Sequence, residues 1–280
     1  MIGLVTDSNS QMPPGLAVRL GVEVVPLTVS IDGIEYREGI DLDADDFYTA
    51  WADGLTPDVD TSQPSPGAFV DAYQRLIDRG VSEILSVHIA EAMSGTLNSA
   101  RLACDAVDVP IRLVDTGTAS FGITCCAWAA ADAIAAGADR ETAALVAEHR
   151  AARLRTSFVV GVPGLIDRSG RAGGLDVQDR SIEGIPVLAM SGSDVEVLDT
   201  VIDVDAAVKT MVEDALAWKL HAGECRRIAI GTSDDSSRSL SAALTDTLAA
   251  QPSISEIIQY RIGPSIGAHT GPGTAGLFVF

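Results

Sequence analysis

The chain has 280 residues, 47% hydrophobic and 21% charged, which is the composition of a globular protein with one large domain or two ordinary ones. A net charge of −20 with only two lysines argues against nucleic-acid binding and excludes a Walker A loop. There is no signal-peptide pattern, and the longest apolar stretch, residues 121–136, is shorter than the ~20 residues of a membrane span. These features predict a cytoplasmic protein without a membrane segment.

Strand and helix signals alternate along the first half of the chain, which predicts a parallel α/β sheet. Pro26 is expected at a kink or an edge of its strand, and Ser65-Pro66 is expected to open a helix. The predicted strands cover residues 2–5, 22–31, 84–89 and 111–114, and the predicted helices cover 13–20, 43–53, a segment from 66, 95–107 and two more up to about 155.

The pattern changes after a strand at 158–162, where residues 185–198 read as strand, turn and strand. The remaining predictions are helices at 205–221 and 236–250, strands at 226–231 and 254–260, and a glycine-rich loop that leads to an apolar end. We therefore predict two α/β domains, 1–155 and 156–280. The first would have a mostly parallel sheet and the second a mixed sheet, and residues 61–78 could pack with the second domain.

The four cysteines contain no C-x-x-C pair, so they are expected to be reduced core thiols rather than zinc ligands. Seven arginines between residues 140 and 180 either form a docking face for an acidic partner or lie on ordinary helix surface.

Three hydroxyl-rich loops carry the chemistry that the sequence offers. They are Thr61-Ser62-Gln63-Pro64-Ser65-Pro66-Gly67, Ser94-Gly95-Thr96 and Gly267-Ala268-His269-Thr270-Gly271-Pro272-Gly273. A hydroxyl and free N–H groups at a helix N-terminus can bind an anion, although a lone serine there is more often an N-cap. Three such loops in one chain favour a shared anion site.

The last of these loops also contains Gly271, Gly273 and Gly276 in the pattern G-x-G-x-x-G. Dinucleotide binding requires a strand before this pattern and a helix after it. Only four residues follow here, and they read as a strand, so the dinucleotide interpretation is disfavoured.

These loops, together with Thr6-Asp7-Ser8 and Val114-Asp115-Thr116, resemble those of the DegV family, the fatty-acid-binding subunits of bacterial fatty acid kinase, in order and spacing over nearly the whole chain. The resemblance implies one long-chain fatty acid between the two domains and no cofactor or metal. Its carboxylate would meet Thr61, Ser62, Ser94 and His269, beside Thr270, while Gly95 and Thr96 would shape the loop.

The resemblance further implies that a separate ATP-binding kinase phosphorylates the carboxyl group, as a step toward phospholipid synthesis. Arg168 and Arg171 are the candidates for docking that kinase. Two residues depart from the family pattern: Ser169 replaces the first glycine of Gly-Gly-Arg, and Ile185 stands where a lysine often precedes the proline.

Two other functions stay open at this point. The loops could hold a small polar carbonyl or sugar-like substrate, as in dihydroxyacetone kinase, whose substrate-binding domain has a similar fold. A hydrolase using Ser94 is the third option, but no residue pair in the sequence suggests a nucleophile with its base. The protein is therefore not expected to be an enzyme by itself.

Overall fold

A computed structural model describes residues 1–168, 184–219 and 225–280. The strands are β1 (Ile2–Asp7), β2 (Val22–Val25), β3 (Thr28–Ile31), β4 (Ile34–Arg37), β5 (Val59–Ser62), β6 (Glu83–His88), β7 (Ile111–Asp115), β8 (Arg155–Val159), β9 (Ile185–Ser191), β10 (Asp194–Val201), β11 (Arg226–Thr232), β12 (Ile254–Arg261) and β13 (Ala275–Val279). The helices are α1 (Pro14–Leu20), α2 (Ala44–Thr49), α3 (Pro66–Asp78), α4 (Thr96–Cys104), α5 (Phe121–Ala135), α6 (Arg140–Ala151), α7 (Pro163–Arg168), α8 (Val204–Ala217), α9 (Arg238–Ala249) and α10 (Pro264–Thr270).

The chain forms two compact units, and both contain a segment from elsewhere in the sequence. The first unit consists of residues 1–42 and 58–153, and the second consists of 43–57 and 154–280. Residues 61–78 belong to the first unit, whereas α2 belongs to the second.

The first unit contains a parallel four-stranded sheet of order β2-β1-β6-β7 and an antiparallel three-stranded sheet of order β4-β3-β5. Strands β1 and β6 are buried along nearly their whole length, as expected for a parallel sheet with helices on both faces. The predicted parallel sheet is thus confirmed. The predicted strand 22–31 is wrong in one respect, because it is divided into β2 and β3 around Pro26, which removes a backbone donor.

The second unit contains a six-stranded sheet of order β10-β9-β8-β13-β11-β12, in which only β11 and β12 pair in parallel. This confirms the predicted mixed sheet. At the end of β8, Val159 packs on one face in a core that includes α8 and α9, while Phe158 and the residue after the strand, Val160, pack on the other. Successive strand residues point to opposite faces, so the alternation defines two apolar surfaces.

The glycine-rich segment near the end of the chain is not entirely a loop. Pro264 opens α10, which runs to Thr270, and β13 begins at Ala275. The expectation of a loop through Ile266–Thr270 was therefore wrong. A strand, β13, follows Gly273, as the sequence predicted. Dinucleotide binding would require a helix at this place.

Candidate functional site

In the first unit, the candidate residues Thr61 and Ser62 lie at the end of β5. They pair with Val29 and Thr28 of β3, and Ser62 is exposed while Thr61 is half-buried. Ser65 then caps α3, since its Oγ accepts the Ala68 N–H at 3.2 Å. The sheet fixes the backbone of Thr61 and Ser62 up to the point where the helix begins.

Ser94 and Thr96 form a small hydroxyl cluster at the start of α4. Their side-chain oxygens are 2.8 Å apart, and Ser94 Oγ also accepts the Thr96 N–H at 3.3 Å. Gly95 is the N-cap residue and has no side chain to offer, so Ser94 provides the capping oxygen one residue earlier. Ser94 is half-buried and Thr96 is fully buried.

The structure brings these two segments together within the first unit. A side chain at Gly95 would have its Cβ only 3.1 Å from the Gln63 amide, so Gln63 lies directly on the Gly95 backbone. The absence of a side chain at Gly95 permits this close approach. Thr61, Ser62 and Ser94 consequently lie on neighbouring segments of one surface region.

A buried hydrogen-bonded chain anchors the strand that precedes Ser94. Asp7 Oδ2 is 2.9 Å from His88 Nδ1, His88 Nε2 is 2.6 Å from Ser86 Oγ, and Ser86 Oγ is 3.1 Å from the Tyr73 hydroxyl. Asp7 also accepts the Ile89 N–H at 3.2 Å, where the chain leaves β6. Burial raises the pKa of Tyr73 well above its ordinary value, so this hydroxyl stays protonated.

Asp7, His88 and Ser86 have the order of a hydrolase triad, but they cannot act as one. All three side chains are fully buried, so no substrate carbonyl can reach Ser86 Oγ. Their hydrogen bonds instead satisfy polar groups inside the parallel sheet. The sequence carries no signal for these hydrogen bonds, because Asp7 is far from Ser86 and His88 along the chain and only the pairing of β1 with β6 brings them together.

In the second unit, His269 lies in the last turn of α10 and is half-buried. Its neighbour Thr270 is buried and donates its hydroxyl to Ile266 O at 3.1 Å, within the same helix. Thr270 O in turn accepts the Val162 N–H at 2.9 Å. Thr270 therefore helps to hold the end of α10, next to His269.

The glycine-rich turn after α10 is fixed by side chains on both sides. Thr274 Oγ1 donates toward Thr270 O and Gly271 O at 3.0 and 2.8 Å, and it accepts the Gly161 N–H at 3.1 Å. The Asp234 carboxylate accepts the Gly273 N–H at 2.7 Å. The position of His269 thus depends on residues outside the glycine-rich motif at 267–273.

Asp234 is the main electrostatic feature of this turn. Burial raises its pKa, but hydrogen bonds from the Gly273 N–H, Ser233 and Ser236 outweigh burial and hold the pKa below its ordinary value. The carboxylate is therefore charged near neutral pH. Asp234 is also the N-cap residue of the short turn Asp235–Ser237 before α9. An aspartate just before a helix is the sequence signal that could have identified it.

Gly161 is required because two backbones approach closely. A Cβ at this position would lie 1.7 Å from Pro272 O, which no side chain can tolerate without movement of the turn. Gly271 has φ +74°, a conformation that disfavours residues with a side chain, and its Cβ would meet Val162. These two glycines let the end of β8 pack against the His269 turn.

The segment 43–57 supports α10 from another direction. Phe47 and Tyr48 of α2 lie on Gly267, whose Cβ would come within 2.6 Å of the Phe47 ring and of the Tyr48 hydroxyl oxygen. The Tyr48 hydroxyl donates to Ile262 O at 3.0 Å, and Trp51 packs on Phe47 with ring centroids 5.0 Å apart. The sequence predicted a helix at 43–53 but not its partner.

A second apolar surface lies on the face of the mixed sheet opposite α8 and α9. It is formed by side chains of β8, β9 and β10 with α7, namely Phe158, Val160, Ile166, Leu188, Met190 and Val195. Phe158 and Met190 are only partly buried, whereas Leu188 is fully buried. Of these residues, Phe158 and Met190 keep exposed apolar area that an apolar ligand could contact within the second unit.

Two arginines in the described part of the segment 140–180 are held in ion pairs. Arg140 pairs with Glu141 at 2.8 Å, and Arg155 pairs with Asp214 at 2.8 Å. Arg168 is exposed at the end of α7 and donates to Gly164 O in its own helix. Arg171 and Ser169 lie outside the described residues.

The four cysteines differ in burial, and all are free thiols. Cys125 and Cys126 are buried, and burial raises the pKa of Cys126 to about 12. Cys104 is half-buried and Cys225 exposed, so the expectation of four core thiols was wrong for these two. Across residues 1–168, 184–219 and 225–280, no group of three His, Cys, Asp or Glu could hold a metal ion.

The two α/β units and their hydroxyl-rich turns match a known class of protein. The DegV family of uncharacterised proteins matches the whole chain, residues 1–280, and the chain belongs to that family. The DegV domain-containing protein SCO2569 of Streptomyces coelicolor is 31% identical over 99% of this chain and 98% of its own length. In the part of the chain that is described, no helix is long and apolar enough to cross a membrane.

Solved structures agree with this assignment. The chain is similar to a fatty-acid-binding DegV family protein from Thermus thermophilus, with a TM-score of 0.91, 30% identity and coverage of 100% of this chain and 99% of that one. It is also similar to DegV from Bacillus subtilis, with a TM-score of 0.85 and coverage of 100% and 99%. The latter is 24% identical, which shows the shared fold.

Proposed function

We propose that this protein binds one long-chain fatty acid. The observation that carries this proposal is the similarity, at 30% identity over the whole chain, to a DegV protein described as binding fatty acid. The structure supports it with hydroxyl-rich turns in the first unit and an apolar sheet surface in the second. The expected cytoplasmic location stays a prediction.

In this proposal, the carboxylate meets Thr61, Ser62, Ser94 and His269. Gly95 and Thr96 set the shape of the Ser94 turn, and Thr270 holds the end of α10. Hydroxyl groups donate hydrogen bonds to a carboxylate, and a protonated histidine would also neutralise its charge. The acyl tail lies against the partly exposed Phe158 and Met190, which pack on a buried apolar cluster that includes Leu188.

The tail supplies most of the affinity in this arrangement. Burying one methylene contributes about 0.8 kcal/mol, so a sixteen-carbon chain gains on the order of 10 kcal/mol before the cost of ordering it. Each hydrogen bond to the carboxylate contributes about 1.5–3 kcal/mol and is offset by desolvation of the charge. The head-group residues therefore fix orientation more than affinity.

We further propose that the carboxylate is presented to a separate ATP-binding kinase, which forms an acyl phosphate. Arg168, exposed at the end of α7, is a candidate contact for that partner, with Arg171 as a second candidate outside the described residues. The chemistry of phosphoryl transfer then belongs to the kinase, and this chain contributes binding and orientation.

Calorimetry on delipidated protein tests the binding proposal against its alternative. Palmitate should bind with a stoichiometry near one per chain, whereas dihydroxyacetone, which has no apolar tail, should give no measurable heat. Binding of dihydroxyacetone without binding of palmitate or oleate would support the polar-substrate reading instead.

A further inference from the structure

The first unit contains a cavity that the head-group residues do not line. Its volume is about 340 Å³, at the small end of the range for small-molecule pockets. It lies between the three-stranded sheet, the start of α3 and the first turns of α4. Its polar lining residues are Thr28, Arg37, Gln63, Ser65 and Ser99, and its apolar walls are Pro26, Pro64, Pro66 and Ala68.

The lining offers hydrogen-bond donors and no carboxylate. Ser99 is only 6% exposed, and its hydroxyl has no hydrogen-bond partner among the described residues. The Gln63 amide and the Thr28 hydroxyl are likewise without partners in that part of the chain. The Ser99 residue is buried as a whole, but its hydroxyl oxygen reaches the open space of the cavity, so it can donate a hydrogen bond to a ligand or solvent oxygen there.

Arg37 provides the positive charge. It is the sole basic residue between Glu23 and Asp60, a segment with eleven carboxylates. Asp41 accepts from Nε at 2.7 Å and from Nη2 at 2.9 Å, which fixes the guanidinium in place. The Nη1 nitrogen takes no part in that ion pair, so the guanidinium keeps donors for a second anion.

The start of α3 adds a positive electrostatic potential. The helix has 13 residues, Ser65 caps it, and both Ser65 and Pro66 line the cavity. A helix N-terminus favours an anion in front of it. The cavity offers hydrogen-bond donors from one cation, one amide, three hydroxyls and this helix end. These donors are more than the two oxygens of a carboxylate can accept, and they match the several oxygens of a phosphoryl group.

We propose that this cavity binds a phosphoryl group, held by Arg37, Gln63 and Ser99 at the start of α3. Gln63 also lies on Gly95, so the cavity adjoins the Ser94 turn. If the proposed function holds, the phosphoryl group is that of an acyl phosphate. Only this identification of the ligand rests on the proposed function. Binding of free phosphate would use the same donors.

The test is a titration of the full chain with inorganic phosphate, in which the NMR signals of backbone amides and arginine side chains are recorded. The salt concentration is about 0.15 M, which screens the repulsion between phosphate and distant carboxylates. Saturable shifts are expected at Arg37 Nε and at residues 67 and 68. Arg37→Gln should weaken phosphate binding about tenfold or more, since it removes a charged hydrogen bond. Ser99→Ala should weaken it less and serves as a second variant.

Arg79→Gln is the matched control. It removes the same charge at the other end of α3, about 20 Å along the helix, where Arg79 pairs with Glu23. This variant should bind phosphate as the unaltered protein does. Absence of saturable shifts in the unaltered protein, or equal affinity in Arg37→Gln, would overturn the proposal, as would equal weakening by Arg79→Gln.

Two further measurements separate this proposal from the proposed function. Fatty acid content is measured by mass spectrometry on each variant and should be unchanged by Arg37→Gln. A failure of fatty acid binding can therefore be told apart from a loss of phosphate binding. Acetyl phosphate is titrated in parallel. Tighter binding of acetyl phosphate than of inorganic phosphate assigns the site to an acyl phosphate, and the reverse order assigns it to free phosphate.

Discussion

At the scale of single residues, Ser94 and His269 differ from the other polar groups because each lies at one end of a helix and carries a side chain that can donate to a carboxylate. Ser94 shares its hydroxyl with Thr96 at the start of α4, and His269 ends α10. Both lie on backbone that neighbouring residues hold in place. If they bind the carboxylate, their main effect is on its orientation, because the tail contributes more binding free energy.

Ser94→Ala and His269→Ala should therefore weaken kinase-dependent formation of acyl phosphate more than fatty acid binding. We expect the affinity for palmitate to fall by no more than about tenfold, the equivalent of one charged hydrogen bond. Calorimetry and a phosphoryl-transfer assay with a cognate kinase measure the two effects. Ser253→Ala, at an exposed serine, is the control and should change neither. Equal loss of both properties would contradict this account.

Asp234 is the second residue with a measurable role. Its pKa is held below the ordinary value of 3.8, so around that pH the unfolded chain binds more protons than the folded one. Asp234 therefore stabilises the fold at neutral pH, and this contribution is lost as the pH falls below 3.8 through the lower pKa of the folded state.

Asp234→Ala should lower the free energy of unfolding by about 1–3 kcal/mol at neutral pH, because it leaves the Gly273 N–H without its acceptor. Urea unfolding at pH 7 and near pH 3 would show this difference shrinking in acid. Asp235→Ala is the matched control, since this neighbour is 85% exposed and pairs with exposed Arg238. A difference that is constant with pH would show that the charge of Asp234 is not responsible.

At the scale of elements, the sequence predicted the parts with regular patterns and missed those that depend on tertiary contacts. Helix α3 was predicted from Ser65-Pro66, and the structure confirms that Ser65 is its cap. The short strands β4 and β5 were not predicted, because four residues with exposed faces carry little periodicity. Helix α10 was missed because its glycines read as a loop, although packing against α2 stabilises it.

The candidate site follows the same division. The hydroxyl-rich turns are visible in the sequence as local motifs. Asp234 and Gly161 are distant from His269 in sequence, and only the fold places them against its turn. No local pattern could have shown that Gly161 faces Pro272, since the contact joins the end of β8 to the turn before β13.

The contact between β8 and this turn can be tested by Gly161→Ala. The added Cβ would overlap Pro272 O, so we expect a loss of about 1–3 kcal/mol in the free energy of unfolding, together with reduced fatty acid content. Urea unfolding and lipid extraction measure the two quantities. Gly15→Ala, whose Cβ would meet nothing within 4 Å, should change stability by less than about 0.5 kcal/mol. Unchanged stability in Gly161→Ala would show that the turn is free to move.

At the scale of the whole molecule, the family assignment agrees with the order of elements, the three sheets and the placement of α2 in the second unit. Composition alone indicated a globular protein that does not bind nucleic acid, but it carried no information about a ligand. That inference comes from motifs and from similarity to a fatty-acid-binding relative. The preferred length of the acyl chain depends on side-chain packing along the apolar surface, which sequence patterns do not encode.

The central claim is that the protein holds one fatty acid, and native mass spectrometry of the purified chain tests it most directly. The account predicts a mass greater than that of the polypeptide by one long-chain fatty acid, and the loss of this increment on denaturation with recovery of the lipid. A polypeptide mass without ligand, and no uptake of added palmitate or oleate, would contradict it.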